Sequence, residues 1–212
     1  MKVLTFGGTS VANAQNILLV EKIVRQESSE NRVVVVVSAL SGVTDGLISA
    51  AESASATNEN YSETIKTLEE KHLEFVKNLL PITEQSTWLS FVKKNFNDIE
   101  DICNGIYVLG EFTPRIKDKI TAYGEFLSSN IIAAKLKSDG LDCVWLDSRN
   151  YIKTNSNFTD AKVDFEKTNA NFQNYFKENK QQVTLAPGFI ASDVDGNITT
   201  LGRGGSDYTA SI

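Results

Sequence analysis

The sequence has few of the residues that build disulfide-rich, metal-binding or membrane-spanning proteins. Its 212 residues include two cysteines and one histidine. Cys103 and Cys143 form no CxxC pair, so we expect two reduced thiols in the core. No apolar run approaches the ~20 residues that a membrane span needs, and the amino terminus lacks the pattern of a secretory signal. We therefore expect a cytoplasmic protein with no membrane partner.

Positive charge is also scarce. The chain has 21 Lys and Arg residues against 27 Asp and Glu, which gives a formal net charge of −6. General nucleic-acid binding needs a basic surface, so we expect no nucleic-acid partner, although a local basic pocket for an anion is compatible with this charge. His72 has no other ligand-type side chain at metal-binding spacing, so we expect a surface histidine.

The first part of the chain alternates strand and helix patterns. Lys2–Phe6 is a short apolar-rich segment that leads into a glycine pair, and Ala14–Ser28 carries apolar residues at helical spacing behind Asn13, a candidate N-cap. Val33–Val37 is five consecutive valines, which is typical of a central strand buried on both faces of a parallel sheet. These three segments predict a right-handed βαβ unit.

The rest of the chain continues this α/β pattern within one domain, for which 212 residues are long enough. We predict the following further segments: a loop at 39–45, polar helices forming an insertion beside the sheet at 58–100, the longest helix at Arg115–Ser138, strands at Asp142–Leu146 and Gln182–Ala186, an ordered loop over a cleft at Thr154–Asp164, and a hairpin at Ile190–Leu201.

Two glycine loops lie near opposite ends of the chain. Gly7-Gly8-Thr9-Ser10 follows the first strand, and its N–H groups suit a phosphate because no Cβ blocks close approach. The loop matches neither the dinucleotide nor the P-loop fingerprint, and a tight structural turn is the alternative.

The second loop, Gly202–Asp207, adds two charged side chains. Arg203 has a planar fork for a carboxylate or phosphate, and Asp207 can orient a cation or polarise an acceptor. A surface turn with Ser206 as a helix N-cap would leave both charges unexplained. We expect the chain to stop before a helix can form after this loop.

Together these segments resemble the kinase portion of aspartate kinases in the amino-acid-kinase superfamily, and most of all that of the bifunctional aspartokinase–homoserine dehydrogenases. The similar motifs run in family order over nearly the whole chain: Phe6–Ser10, Val37–Asp45, Thr113–Arg115, Tyr123–Ser128, Leu146–Arg149, Ile152–Thr154, Pro187–Phe189 and Leu201–Ala210.

The resemblance implies a three-layer αβα sandwich with a mainly parallel sheet. It also implies transfer of the γ-phosphate of ATP to the β-carboxylate of L-aspartate with Mg²⁺, the first step of aspartate-family amino-acid biosynthesis, in a protein that is a homo-oligomer at full length. In the family, the nucleotide half and regulatory domains follow the segment that ends here. We therefore expect residues 1–212 to form an incomplete domain that exposes apolar surface, binds ATP weakly and self-associates.

The resemblance assigns roles to individual residues. Glu125 would bind the substrate ammonium and Asp207 would organise the catalytic cation. The other roles are hydrogen bonds to the acceptor and to the phosphates: Ser38, Thr44, Arg203 (for the α-carboxylate), Gly204 and Ser206 on the substrate, and Gly7, Gly8, Thr9, Ser10 and Gly205 on the phosphates. The alternatives are helix caps for Ser38 and Thr44 and a solvated or ion-paired Glu125.

One position departs from the family pattern. Thr5 stands where the family has a lysine that neutralises charge on the transferring phosphoryl group, and Lys2 lies on the other face of the strand. Loss of such a charge typically costs ~10²–10³ in rate, so we expect slow transfer or none. Two alternatives are a kinase of another amino-acid, carboxylate, carbamate or phosphate acceptor and a catalytically silent aspartate-binding module.

Overall fold

The run of five valines forms the central strand of the sheet. In the computed structural model, which describes residues 1–212, β2 (Val33–Val37) lies between β1 (Lys2–Phe6) and β4 (Val183–Pro187), and β3 (Cys143–Trp145) pairs with the far side of β4. All three pairings are parallel. The predicted strands and the central position of the valine strand are confirmed.

The helices connect the strands and flank the sheet, and a small antiparallel hairpin stands apart from it. The hairpin joins β5 (Ile190–Ser192) to β6 (Ile198–Thr200), as predicted. The helices are α1 (Ala14–Ser28), α2 (Val43–Ser55), α3 (Tyr61–Leu79), α4 (Ile82–Leu109), α5 (Pro114–Ser138), α6 (Ser148–Tyr151), α7 (Phe165–Glu178) and α8 (Gly205–Ser211).

Alternate side chains of β2 point to opposite faces of the sheet, and this separates two helical layers. Val33, Val35 and Val37 belong to the main core, which also contains buried residues of α1, α2 and α5. Val34 and Val36 lie on the other face, where α7 and α8 approach. The arrangement is the predicted αβα sandwich with a mainly parallel sheet.

The face of Val34 and Val36 is only partly covered. An apolar cavity of about 400 Å³ lies between the sheet, α7 and the end of α8, and Val3 at its edge is 47% exposed. Apolar side chains therefore remain accessible on this face.

The predicted helix boundaries hold for α1 and fail for α4. The Asn13 side chain accepts a hydrogen bond from the N–H of Asn16 (2.9 Å), which confirms the N-cap of α1. The 28 residues of α4 exceed the 25 of α5, so α5 is not the longest helix. The apolar stripe of α4 continues through Ile106, and the helix ends only at Gly110, which adopts a left-handed conformation. Both α3 and α4 pack on α2, beside the sheet.

Two predictions about helix starts are wrong. The loop predicted at 39–45 ends early because α2 begins at Val43, behind Gly42 with a φ of 78°. A helix does form at the second glycine loop, because α8 begins within the loop at Gly205 and its seven residues suffice for about two turns. The N-cap of α8 is Gly204, with a φ of 75°, so Ser206 does not cap this helix.

His72 is fully buried, which contradicts the predicted surface position. It lies on the apolar stripe of α3 with Leu68 and Phe75, and its Nδ1 is 2.7 Å from the carbonyl oxygen of Leu68. Burial lowers the pKa of His72 to about 4, so the ring is neutral at pH 7. The two cysteines are buried free thiols, as predicted.

One buried carboxylate ties together three distant parts of the chain. Asp118 of α5 accepts the N–H groups of Thr159 (2.9 Å) and Thr200 (3.0 Å) through Oδ2 and the Thr200 hydroxyl (2.6 Å) through Oδ1. Burial raises the pKa of Asp118, and these hydrogen bonds oppose the shift. The contacts order the predicted loop at Thr154–Asp164 and fix the hairpin against α5.

Replacement of Asp118 by Ala should destabilise the protein by about 2–4 kcal/mol, because it leaves buried donors without an acceptor. Urea unfolding followed by circular dichroism measures the change. Asp101→Ala, at an exposed position on α4, is the matched control and should change stability by less than about 0.5 kcal/mol. Equal unfolding midpoints for the two variants would contradict the role of Asp118.

Candidate active site

The two glycine loops meet at one open cavity of about 500 Å³ at the carboxyl ends of the parallel strands. This is the edge of an α/β sheet where ligands usually bind. The wall consists mainly of glycines and polar residues, with three hydrophobic ones, from five parts of the chain: Gly7–Thr9, Ser38–Gly42 with Thr44 and Asp45, Glu125, Phe189, and Gly202–Asp207.

Close backbone approaches hold the loops around the cavity. A Cβ on Gly8 would lie 3.2 Å from the carbonyl oxygen of Ala39, so the loop after β1 touches the loop after β2. A Cβ on Gly188 would lie 2.6 Å from the Ser206 side chain, so the start of α8 is in direct contact with the end of β4. The sequence pattern did not single out Gly188 for this contact.

A chain of three serines links the walls of the cavity. The Ser128 hydroxyl of α5 donates to the carbonyl oxygen of Ser38 (2.8 Å), and the Ser38 hydroxyl donates to the Ser206 hydroxyl (2.8 Å). Ser38 does not cap α2, because the N-cap is Gly42 without a side-chain hydrogen bond, and Thr44 lies inside the first turn. The capping alternative for both residues is therefore wrong.

The phosphate-binding candidates are brought together with one exception. Gly7, Gly8, Thr9 and Gly205 line the cavity, although the N–H of Gly205 donates to the carbonyl oxygen of Gly202 (3.1 Å). Ser10 lies outside the wall, and its N–H donates to the carbonyl oxygen of Gly7 (2.8 Å). The N–H of Ser10 is thus used by the turn itself.

The cavity wall carries more acidic than basic side chains. Arg203 is the one cationic residue of the wall, against Asp45, Glu125 and Asp207. Thr5 is exposed and lies outside the wall, but its hydroxyl is 3.4 Å from Oδ1 of Asp207, which belongs to the wall. Lys2 forms an ion pair with Glu27, so its ammonium does not take the place of a lysine at position 5.

Glu125 is the most unusual group of the wall. It is 4% exposed, and its Oε2 has no hydrogen-bond partner. Burial raises the pKa of Glu125 to about 8, and the backbone N–H of Ala39 offsets only part of the shift. The alternative of a solvated or ion-paired Glu125 is therefore wrong. The structure holds a buried carboxyl group with an open acceptor beside the cavity.

Gly124 allows α5 to place this carboxyl group. A Cβ on Gly124 would lie 2.9 Å from the Cβ of Ala39 and 3.6 Å from the Thr44 hydroxyl. The helix therefore packs against the loop after β2 at a distance that only glycine permits. The sequence pattern does not reveal this contact, because a glycine inside a helical pattern can also be a neutral surface position.

Replacement of Gly124 by Ala should lower the unfolding temperature, because overpacking at this contact costs about 1–3 kcal/mol. Gly105→Ala is the matched control in another helix. A Cβ at position 105 would have no neighbouring atom within 4 Å, so this change should raise stability by up to about 1 kcal/mol. Calorimetry checks the order of the two variants, and a Gly124→Ala protein as stable as Gly105→Ala would contradict the close-contact argument.

Comparison with known proteins gives the class to which this fold and site belong. The profile of the Amino acid kinase family matches residues 1–212, so the chain belongs to that family. Within the family it is similar to aspartokinases. It is 35% identical over 210 residues to bifunctional aspartokinase/homoserine dehydrogenase 1, chloroplastic, of Arabidopsis thaliana, and 32% identical over 216 residues to the bifunctional enzyme of Buchnera aphidicola.

Solved structures show the same similarity. The chain superposes on Escherichia coli aspartokinase III in complex with lysine and aspartate with a TM-score of 0.88 and 26% identity, and on the same enzyme with aspartate and ADP with a TM-score of 0.85 and 25% identity. Each superposition covers 99% of this chain and 45% of the E. coli chain. The chain spans 23% of the Arabidopsis protein and 26% of the Buchnera protein.

The helices of the structure include none with the length and hydrophobicity of a membrane span.

Proposed function

We propose that this chain is the acceptor-binding part of an aspartate kinase, which transfers the γ-phosphate of ATP to the β-carboxylate of L-aspartate in amino-acid biosynthesis. The observation that carries the proposal is the convergence of Arg203, buried Glu125 and two glycine loops on one cavity. The E. coli structures with aspartate, and with aspartate and ADP, support the same pair of ligands.

The acceptor side of the cavity suits an α-amino acid. The guanidinium of Arg203 pairs with the α-carboxylate, and Glu125 accepts the ammonium group through its open oxygen. The hydroxyls of Ser38, Thr44 and Ser206 and the N–H of Gly204 surround these two anchors. The β-carboxylate is thereby directed toward the first glycine loop.

The phosphoryl side of the cavity works by position and charge. The N–H groups of Gly7, Gly8 and Thr9 bind the phosphate oxygens, which restricts the transferring group to the line between donor and acceptor. Gly205 leaves room for the phosphates without donating, because its N–H is bonded to the carbonyl oxygen of Gly202 (3.1 Å).

The single carboxylate of Asp207 fits a magnesium ion that is held jointly with the nucleotide. The structure contains no group of three or more His, Cys, Asp or Glu side chains that could form a protein cage for a metal. Mg²⁺ in kinases is commonly held by one or two carboxylates together with substrate phosphates. When bound, the ion neutralises phosphate charge. Asp207 is exposed and has no ion-pair partner, so its carboxylate is available.

ADP release from the purified protein with a panel of acceptors tests the proposal. We expect release that depends on L-aspartate and is absent with succinate, which lacks the ammonium group. Arg203→Ala should raise the KM for aspartate more than about tenfold, because a charged hydrogen-bond partner of the α-carboxylate is lost. Arg115→Ala is the matched control, since Arg115 is exposed and bonds to Asn197 outside the cavity. Faster release with another acceptor would overturn the assignment in favour of that substrate.

A catalytically silent aspartate-binding module is the second candidate, and Thr5 favours it. The side chain that contacts Asp207 is an uncharged hydroxyl, and the one cation of the wall is assigned to the α-carboxylate. The phosphoryl group therefore has no lysine or arginine of its own.

Thr5→Lys should raise turnover about 10²-fold, because it adds a positive charge next to the transferring group. Thr5→Met introduces a side chain about as long as that of lysine but without charge, so it should leave turnover at the original level. The measurement is kcat from steady-state ADP release. Binding of aspartate without ADP release in the wild type, together with no gain in Thr5→Lys, would establish the silent module.

The remaining expectations for the longer protein stay predictions. These are a homo-oligomeric assembly, a cytoplasmic location, an incomplete domain in residues 1–212 with a helical insertion at 58–100, weak ATP binding and self-association through apolar surface.

A further inference from the structure

The carboxyl group of Glu125 differs in its surroundings from a carboxylate that is ready to bind a cation. It is buried on α5 with one oxygen unpartnered, and it borders an open polar cavity rather than a closed core. An ionised carboxylate without a cation at such a depth carries a large desolvation penalty, and its usual response is to take up a proton. A neutral carboxylic acid, however, is a poor partner for an ammonium ion.

We propose that Glu125 is a neutral carboxylic acid before substrate binds and that binding of the substrate ammonium expels its proton to solvent. This inference rests on the proposed function only in taking an amino acid as the ligand. In the step, the O–H bond of Glu125 breaks, the proton leaves to water or buffer, and a carboxylate–ammonium pair replaces the acid. No other bond changes and no co-reactant is needed.

The surroundings of Glu125 offer no fixed cation that would keep it ionised. Four strands pack on α5, and three of them have no titratable side chain: β2 with its five valines, β4 with Val-Thr-Leu-Ala-Pro and β6 with Ile-Thr-Thr. The titratable groups of the other neighbours are, by element, Asp45 and Glu52 of α2; Glu84, Lys93, Lys94, Asp98, Glu100, Asp101, Cys103 and Tyr107 of α4; Cys143 of β3; and Arg203 and Asp207 across the cavity.

None of these groups contributes to the pKa of Glu125, which burial alone raises. The pKa values of Cys103 and Cys143 are also raised by burial, to about 11 and about 12, so neither thiol releases a proton near pH 7. Arg203 lines the same cavity, and its assigned partner is the α-carboxylate of the ligand. The substrate therefore brings the cation that Glu125 lacks.

The protonation equilibrium makes ligand binding depend on pH. With a pKa of about 8 before the ligand binds, the affinity for aspartate should weaken about 50-fold between pH 8 and pH 6, because protons compete for the same oxygen. Succinate, which has the two carboxylates and no ammonium, should show no such dependence.

Calorimetric titration of aspartate at pH 7, in buffers of different ionisation enthalpy, counts the protons directly. We expect close to one proton released per aspartate bound, and a number that falls toward zero above pH 9. Glu125→Gln keeps the size of the side chain but has no proton to lose, so its residual binding should release none. Aspartate binding to the wild-type protein with no proton release would overturn the inference.

A ligand-free measurement separates this inference from the proposed function. If aspartate does not bind at all, the proposed substrate fails, yet the state of Glu125 can still be measured by the pH dependence of unfolding. The folded pKa of about 8 lies above the ~4.3 of an unfolded glutamate, so the neutral form stabilises the fold at low pH, and this contribution is lost as the pH rises toward 8. Relative to Glu125→Gln, the wild type should lose stability between pH 5 and pH 8. Parallel curves for the two proteins would contradict a neutral Glu125.

Discussion

The cavity depends on the contact between α5 and the segment that follows β2. At Gly124 the helix approaches Ala39 so closely that a methyl group would not fit. This approach buries Glu125, brings Ser128 within hydrogen-bond distance of Ser38, and through Ser38 positions the first turn of α8. One helix therefore sets the depth of the carboxyl group and the spacing of the hydroxyls. The glycine loops provide N–H groups, and α5 sets the position of the carboxyl group at the acceptor side of the cavity.

Much of the fold could be predicted because hydrophobic pattern and burial agree in this sequence. The five valines of β2 are buried on both faces of the sheet, and the stripe of α1 points into the core behind a side-chain cap. The errors concern where helices begin and end and how deeply one polar side chain is buried. The absence of a metal-binding pattern around His72 suggests a surface position, yet His72 lies on the stripe of α3 with Leu68 and Phe75, and its Nδ1 is close to the carbonyl oxygen of Leu68.

The residues of the site could be predicted from the sequence, but their burial and charge state could not. Sequence motifs brought both glycine loops, Glu125 and Arg203 to one place, and the structure joins them in one cavity. The sequence could not show that Glu125 is dehydrated, because its burial depends on packing by strands and loops remote in the chain. It also could not show that Thr5 reaches Asp207, since that contact bridges the first strand and the last helix. The excess of acidic side chains in the wall follows from the same packing.

The contact between Thr5 and Asp207 also bears on the order in which the molecule folds. The two residues are separated by 202 positions, so the loop that their contact closes spans nearly the whole chain. Closing such a loop is entropically costly and occurs late, after the local helical pairs and the first βαβ unit have formed. During synthesis on a ribosome, the strand and first glycine turn would emerge long before their partner. The nascent protein would thus lack the contact between the first strand and Asp207 until α8 had emerged.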